Sequence, residues 1–116
     1  MGVAQRHGRA GEALVASYLE LTGCRVTAQN VRIAGVEVDL VASDGPAQVV
    51  VEVKVRSRSD YGGAVAAIDR AKQSRLARAA RALQQNGARL VRVDVVAVDI
   101  GPEGATIRHY RNAVTE

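Results

Sequence analysis

The fold of this chain is decided by residues 36–55, which read VEVDLVASDGPAQVVVEVKV. Apolar and charged side chains alternate on both sides of SDGPA, a stretch rich in turn-forming residues. Because successive side chains of a strand point to opposite faces, this alternation predicts two strands, each with an apolar and a charged face. The predicted apolar faces consist of Val36, Val38, Leu40 and Ala42, and of Val49, Val51, Val53 and Val55. The charged faces consist of Glu37 and Asp39, and of Glu52 and Lys54.

The connection between these strands fixes their pairing. If they form a hairpin closed by residues 44–47, Asp39 faces Glu52 and Glu37 faces Lys54. Both charged faces then coincide, and so do both valine-rich faces. A shift by one residue would separate the apolar faces, so the pattern itself favours this register.

The predicted register brings carboxylates together. Asp39 and Glu52, placed opposite each other, repel and raise each other's pKa unless a cation compensates. Mg²⁺ suits such a site because it binds oxygen ligands and needs only one or two carboxylates besides water and substrate phosphate. Lys54 beside it would stabilise an attacking hydroxide or the charge on a phosphate. The alternative is an ordinary cross-strand set, in which Glu37 and Lys54 form a surface ion pair of little energetic value.

Outward from the hairpin, the chain alternates between helical and strand-like patterns. Apolar residues at helical spacing predict a helix over residues 7–22 and a longer one over residues 64–86. Strand-like runs lie at residues 25–31, 90–99 and 105–110, and the last of these is expected at a sheet edge. The order α-β-β-β-α-β-β predicts an α/β fold, with a mixed β-sheet flanked by helices.

The first predicted helix carries a further candidate residue. Gly8 and Gly11 fall on its apolar stripe, where the missing side chains let another element approach closely. Glu12 lies at the edge of that stripe, from which a carboxylate can face a neighbouring cleft.

Composition indicates a single domain over residues 1–116. With 47% hydrophobic and 24% charged residues, the chain belongs to neither the disordered nor the fibrous class. It has no run of 18 apolar residues, so we expect no membrane span. No apolar stretch follows Arg6, His7 and Arg9, and Glu12 comes next, so we expect no signal peptide and hence a cytoplasmic protein. One cysteine, Cys24, excludes an internal disulfide and a cysteine-rich zinc site.

The charge balance favours a nucleic-acid partner. Sixteen Lys and Arg residues against twelve Asp and Glu residues give a net charge of +4, which attracts a polyanion. The three tyrosines are the chain's only aromatic side chains apart from its two histidines, so a base-stacking platform is not expected. A GC-rich coding sequence is the alternative explanation of the arginine excess.

The spacing Asp39…Glu52-Val53-Lys54 resembles the PD-(D/E)-x-K nuclease signature of restriction-endonuclease-like cores. Three motifs, Gly8–Ala13, Glu37–Leu40 and Val51–Arg56, resemble more closely the YraN-like family of bacterial proteins. That family is similar to the Holliday-junction resolvases of archaea, which add a glutamate from the first helix. The proline of the signature is absent, and Ala77 stands where a RecB-type exonuclease has tyrosine four residues after Gln73.

The resemblance implies a restriction-endonuclease-like core and a set of site residues. Mg²⁺ or Mn²⁺ would be bound by Asp39, Glu52 and the backbone carbonyl of Val53, with Glu12 completing the site. The implied catalytic residues are Glu12, Asp39, Glu52 and Lys54, with Glu37 as a supporting neighbour.

Basic and polar residues around the predicted site give a candidate substrate surface. The predicted nucleic-acid contacts are Arg56, Arg58, Lys72, Gln73 and Arg75. Lys72 falls in the apolar arc of the second helix, so its ammonium must turn outward or reach into a cleft. The alternative is a solvated arginine face and a polar connection. His7 and His109 have no recognisable partner in the sequence, and we assign them no role.

These observations predict a metal-dependent endonuclease acting on DNA, with branched, junction-like DNA as a candidate substrate. DNA is favoured over RNA, and a two-fold substrate would favour a homodimer. The alternatives are a catalytically silent nucleic-acid-binding module and an interaction subunit, either of which would retain the nuclease fold.

Overall fold

A computed structural model describes the backbone of residues 3–57 and 68–115 and the side chains of residues 8–57 and 68–115. Its elements are α1 (Val3–Leu21), β1 (Arg25–Ile33), β2 (Val36–Asp44), β3 (Ala47–Arg56), α2 (Arg70–Gln85), β4 (Leu90–Gly101) and β5 (Gly104–Tyr110). The predicted order α-β-β-β-α-β-β is therefore confirmed. Neither helix in the described part of the chain is long and apolar enough to cross a membrane.

The five strands form one mixed sheet in the order β1-β2-β3-β4-β5. All neighbouring strands are antiparallel except β3 and β4, which are parallel and are connected through α2. The sequence therefore folds as the predicted α/β protein with a mixed sheet, and β5 occupies an edge as expected.

The two helices cover opposite faces of this sheet. Val15 and Leu19 of α1 are buried in one core cluster, together with Leu40, Val51 and Val96 from the three central strands. The second cluster contains three residues of α2, namely Leu76, Ala77 and Ala79, packed on Val41, Val50 and Val93 among others. Residues 93–98 of β4 are buried throughout, as the dense run of valines predicted.

The hairpin of β2 and β3 has the predicted register, but over part of its length. The ladder runs from Asp44↔Ala47 to Leu40↔Val51 and ends there, one pair before Asp39 and Glu52. The predicted opposition of Glu37 and Lys54 is wrong. Glu37 pairs with Arg32 of β1 in the ladder and in an exposed ion pair of 2.8 Å.

The prediction that Val36, Val38, Leu40 and Ala42 share one apolar face of β2 is also wrong. Leu40 and Ala42 pack in the cluster of α1, whereas Val36 and Val38 pack in the cluster of α2. The change of face falls at Asp39. On β1 the position between the pairs Gln29↔Leu40 and Val31↔Val38 is Asn30, which has a left-handed φ of 51°. A left-handed residue interrupts the alternation of side chains, and the β1–β2 ribbon changes faces there.

Helix α1 packs closely on β3. A Cβ added at Gly11 would overlap the side chain of Val55, so the predicted close approach is confirmed at this glycine. At Gly8 an added Cβ meets nothing within 4 Å. The absence of a side chain at Gly11 therefore sets the distance at which α1 presents Glu12 to the sheet.

Helix α2 starts at a well-formed cap. The Asp69 side chain accepts a hydrogen bond of 2.7 Å from the Lys72 backbone N–H, the typical N-cap arrangement. The predicted start at residue 64 falls on residues 64–67, outside the described part. The helix ends at Asn86, followed by Gly87 with φ of 110°, where the sequence predicted its end.

Candidate active site

The candidate site is a cleft where β2 and β3 separate beyond the end of their ladder. The cleft measures about 430 Å³ and is lined by residues from α1, β2, β3 and β4. The lining includes all four predicted catalytic residues, Glu12, Asp39, Glu52 and Lys54, and also Val53. The structure thus brings together residues that are up to 42 positions apart in the sequence.

Asp39 holds the two strands together at this fork. Its Oδ2 accepts a hydrogen bond of 2.9 Å from the Val53 backbone N–H. The side chain of β2 thereby bonds to the backbone of β3 beyond the last ladder pair. This contact fixes the Asp39 carboxylate beside Glu52.

Glu52 is a buried carboxylate that is not fully paired. The residue is only 9% exposed, and its Oε1 has no hydrogen-bond donor. Its Oε2 lies 3.6 Å from Nζ of Lys72. Burial, and then the neighbouring charge of Asp39, raise the pKa of Glu52 to about 7, although Lys72 acts in the opposite direction. In its protonated form Glu52 can donate a hydrogen bond to Asp39.

Glu12 brings a third carboxylate to the cleft from α1. Partial burial, and then the charge of Asp39, raise the pKa of Glu12 above its ordinary value of 4.5. A hydrogen bond donated by the Asn30 side chain and the charge of Arg9 act against this rise. Glu12 therefore lies close enough to Asp39 for the two charges to interact.

The cleft suits a small divalent cation as an open site. Within residues 3–57 and 68–115, no group of three or more acidic, histidine or cysteine side chains is arranged so that it could hold a metal ion. A buried carboxylate oxygen without a donor is nevertheless what a cation would satisfy, and oxygen donors are the ligands Mg²⁺ prefers. Asp39 and Glu52 supply the one or two carboxylates that Mg²⁺ commonly uses in proteins.

The two lysines approach the cleft from different elements. Lys54 lines it from β3 and is half-buried. The Lys72 side chain is 30% exposed and reaches Glu52 from the first turn of α2. Of the two directions considered for Lys72, the structure shows the one into the cleft.

Comparison with known proteins assigns the chain to a family. The sequence profile described as "Uncharacterised protein family UPF0102" matches residues 11–98, a range that includes the cleft residues Glu12, Asp39, Glu52, Val53 and Lys54. The chain belongs to the UPF0102 family. This confirms the resemblance to the YraN-like family expected from the three motifs.

Relatives of this UPF0102 chain align over most of their length. The UPF0102 protein of Halorhodospira halophila is 39% identical over 112 residues, which cover 97% of this chain and 89% of the relative. That of Symbiobacterium thermophilum is 44% identical over 105 residues, covering 88% and 89%. Among solved structures, Pyrococcus furiosus SfsA in complex with Ca²⁺ aligns with a TM-score of 0.40 and 13% identity. That alignment covers 97% of this chain and 65% of SfsA.

The predicted nucleic-acid contacts of the UPF0102 chain do not form one surface. Arg56, a predicted nucleic-acid contact, is 7% exposed, and its Nε donates to Oδ1 of Asp99 at 2.9 Å. Asp99 is also its ladder partner on β4. Gln73 is half-buried and donates from Nε2 to the Ile68 carbonyl at 2.8 Å. Arg75 is exposed on α2.

Two further predicted residues lie away from the described cleft. Arg58 falls on residues 58–67, outside the described part of the chain. Glu37 is exposed and bound to Arg32, and it is not among the residues that line the cleft. The structure thus gives Glu37 no contact with the site that it was expected to support.

Sequence reasoning missed Asn30 of this UPF0102 chain. It lies in a strand, where asparagine is disfavoured, and asparagine is among the few residues other than glycine that adopt left-handed backbone readily. An asparagine inside the strand-like run RVTAQNVRI, residues 25–33, is the signal that could have drawn attention to it.

Proposed function

We propose that this protein is a metal-dependent endonuclease that hydrolyses phosphodiester bonds in DNA. The observation that carries the proposal is the Glu52 carboxylate, which is buried beside Asp39 at the edge of an open cleft with one oxygen lacking a donor. Burying an unpaired carboxylate costs free energy. A cation that also binds a substrate phosphate would pair with the oxygen that lacks a donor and offset this cost.

The residues of the cleft divide into two roles under this proposal. Asp39, Glu52 and the carbonyl of Val53 would hold Mg²⁺ or Mn²⁺, and Glu12 would complete the set. A bound divalent cation supplies Lewis-acid chemistry, which neutralises a phosphate oxygen and lowers the pKa of water. Lys54, whose charge lies at the same cleft, stabilises the hydroxide or the negative charge that develops on the phosphate.

The basic side chains near the cleft would hold the DNA backbone. Lys72 lies beside Glu52, and Arg75 is exposed on the same helix, α2. Contacts of lysine and arginine with phosphates position a duplex without reading its sequence, and they make binding depend strongly on salt. A protein that selects by backbone path rather than by sequence suits branched DNA, and a two-fold junction would be cut by two copies of the chain.

The proposal is tested by a cleavage assay with matched carboxylate variants. Linear, flapped and four-way-junction DNA are incubated with the protein in Mg²⁺, in Mn²⁺ or in EDTA. We expect cleavage only with a divalent cation and a loss of about 100-fold or more in E52Q and K54A. E37Q is the control, because Glu37 is an exposed carboxylate of the same hairpin that does not line the cleft.

Each result has a defined meaning. Salt-dependent DNA binding without cleavage in either metal would contradict the enzyme and support the silent binding module. Cleavage by E52Q at the wild-type rate would assign the activity to a contaminant. A preference for the four-way junction would support the branched substrate, and equal cleavage of all three DNAs would contradict it.

A further inference from the structure

The two helices of the chain differ in their charge pattern. Helix α1 contains two arginines and two glutamates, whose charges cancel. Helix α2 contains four arginines and one lysine within 16 residues, and it has no acidic residue. A GC-rich coding sequence would add arginines throughout the chain, but it would not remove acidic residues from one helix. The charge of α2 therefore needs an explanation of its own.

Three basic residues of α2 form a row that begins at the cleft. We call Lys72, Arg75 and Arg78 the basic row. They are spaced three residues apart, so the Cβ atoms of neighbouring members lie about 5–6 Å apart. The Lys72 ammonium lies 3.6 Å from Oε2 of Glu52, whereas Arg75 and Arg78 are exposed. Over about 9 Å of helix axis, the row leads from the cleft onto the outer face of α2.

The charges of the basic row are unfavourable for the helix itself. Like charges three residues apart on a helix repel each other. Lys72 also stands in the first turn, where the helix dipole favours negative charge. Within residues 3–57 and 68–115, neither Arg75 nor Arg78 has an ion pair or a side-chain hydrogen bond that would offset the repulsion. A bound polyanion would supply the missing negative charge.

The partner that fits the basic row is the phosphate backbone of a double helix. B-DNA carries one negative charge per about 1.7 Å of its axis, which is twice the density of one of its strands. A single strand would be held mainly by stacking of its bases on aromatic side chains, and α2 has no aromatic residue. Its arginines can contact phosphates along a duplex without any base being exposed.

We infer that the basic row binds the phosphate backbone of a double-stranded DNA arm that leaves the cleft along α2. This role of α2 rests on the proposed function, because it takes the cleft as the place where the DNA is cut. It deepens that function by naming the substrate on one side of the cut. The duplex continues there for at least about three base pairs, the length of the row at 3.4 Å per base pair.

The test measures the affinity for a short DNA duplex by fluorescence anisotropy in EDTA, at salt concentrations from about 50 to 200 mM. Each phosphate contact contributes about 0.9 to the slope of log affinity against log salt. We expect the slope to fall by about 0.9 in R75Q and in R78Q, and by about 1.8 in the combined variant. R78K should keep the wild-type slope, because lysine retains the charge. Loss of slope in R78K as well would indicate a structural role for Arg78 and overturn its phosphate contact.

R111Q is the matched control, because it changes the net charge by the same amount. Arg111 is exposed and precedes Asn112, whose backbone N–H donates to Asp94. Asp94 is linked through His109 to Tyr18 of α1, the helix on the other face of the sheet. We expect the wild-type slope in R111Q. An equal fall in R111Q would overturn the inference, because net charge alone would then explain the binding.

A second probe tests the choice of a double helix. Single-stranded DNA of the same length is expected to bind more weakly than the duplex, with little effect of R75Q and R78Q. Equal affinity for the single strand, with equal losses in both variants, would overturn the assignment to a duplex. Absence of duplex binding by the wild type would overturn it as well.

The binding test separates this inference from the proposed function, since EDTA removes the cation that cleavage needs. If the wild type cleaves DNA while R75Q and R78Q keep the wild-type slope, only the role of the basic row is overturned. If the slopes fall as expected and neither Mg²⁺ nor Mn²⁺ supports cleavage, the proposed enzyme fails. The basic row then stands as the DNA-binding surface of a silent module.

Discussion

Two buried carboxylates of this protein have opposite surroundings. Asp94 on β4 is completely buried and accepts hydrogen bonds from three residues. The donors are Arg92 Nε at 2.9 Å and Nη2 at 3.3 Å, His109 Nε2 at 2.7 Å and the Asn112 backbone N–H at 2.9 Å. Glu52 on β3 is buried almost as deeply, yet one of its oxygens has no donor and the other has only Lys72 at 3.6 Å.

The difference separates a buried carboxylate with a full set of donors from one that lacks them. A buried charge with a full set of donors contributes to one specific fold, whereas a buried charge without them reduces stability. Helix α1 connects the two regions. The Tyr18 hydroxyl bonds to Nδ1 of His109 at 2.8 Å, in the network of Asp94, while Glu12 lies in the cleft of Glu52. One half of the helix is thus anchored, and the other half is placed for chemistry.

The largest expected effect is a loss of stability on neutralising Asp94, and its absence would contradict the comparison of Asp94 with Glu52. D94N removes the charge from a site with three donor residues and replaces one of the two acceptor oxygens by an NH2 group, which cannot accept a hydrogen bond from any of them. We expect a loss of roughly 3 kcal/mol in the free energy of unfolding, measured by urea denaturation. E52Q, which neutralises a carboxylate with an unpaired oxygen, is expected to be as stable as the wild type or more so at pH 8. Equal losses in the two variants would contradict the distinction.

The pH dependence of stability tests whether the buried Glu52 carboxylate is unfavourable in its charged form. The folded pKa of about 7 lies above the ordinary 4.5, so the folded state favours the protonated carboxyl. The stability that Glu52 contributes is therefore complete below about pH 4.5 and is lost as the pH rises through 7, a change on the order of 2–3 kcal/mol. Urea unfolding in EDTA at pH 5 to 8 should show wild type losing stability relative to E52Q. A constant difference between the two proteins would contradict this.

The cleft half of α1 can be tested through its two glycines. G11A forces a Cβ into the side chain of Val55, and we expect a loss of about 1–3 kcal/mol from overpacking. G8A meets nothing within 4 Å and should gain up to about 1 kcal/mol, because alanine favours helix. Thermal denaturation of both variants measures the difference. If G11A proved as stable as G8A, the close seating of α1 on β3 would be refuted.

The smallest effect concerns the anchored half of α1. Y18F removes the hydroxyl that donates to His109 and leaves the ring in place, which should cost about 1 kcal/mol of unfolding free energy. Because the cleft lies at the other half of the helix, Mn²⁺ affinity should be unchanged in Y18F. A Y18F variant with wild-type stability but weaker Mn²⁺ binding would reverse the roles assigned to the two regions.

Much of the fold could be predicted because it depends on local patterns. The alternation on both sides of SDGPA determined the register from Leu40↔Val51 to Asp44↔Ala47, and helical spacing placed both helices. The same reasoning placed Asp39 and Glu52 at one site. The prediction of Glu37 opposite Lys54 assumed that the alternation continues through Asp39. It does not continue, because the left-handed backbone of Asn30 on the neighbouring strand changes the face.

The remaining differences depend on contacts between distant parts of the chain. Arg56 is held by Asp99, 43 residues later, through a parallel pairing whose register no turn defines. The partner of His109 is Asp94 on the adjacent strand, and Tyr18 is 91 residues away. A pattern within a few residues carries no information on such pairs, so the network around Asp94 could be recognised only in the folded chain.

The left-handed backbone of Asn30 has one more consequence, which concerns association between copies. β1 is an edge strand, and it contains both Asn30 and an irregularity between Val26 and Ala28. Together they interrupt the row of outward N–H and C=O groups that another strand would need to extend the sheet, a protection common on natural edges. Arg25 and Arg32 add exposed positive charge along the same edge. Two copies of the chain would therefore not associate by pairing their β1 edges.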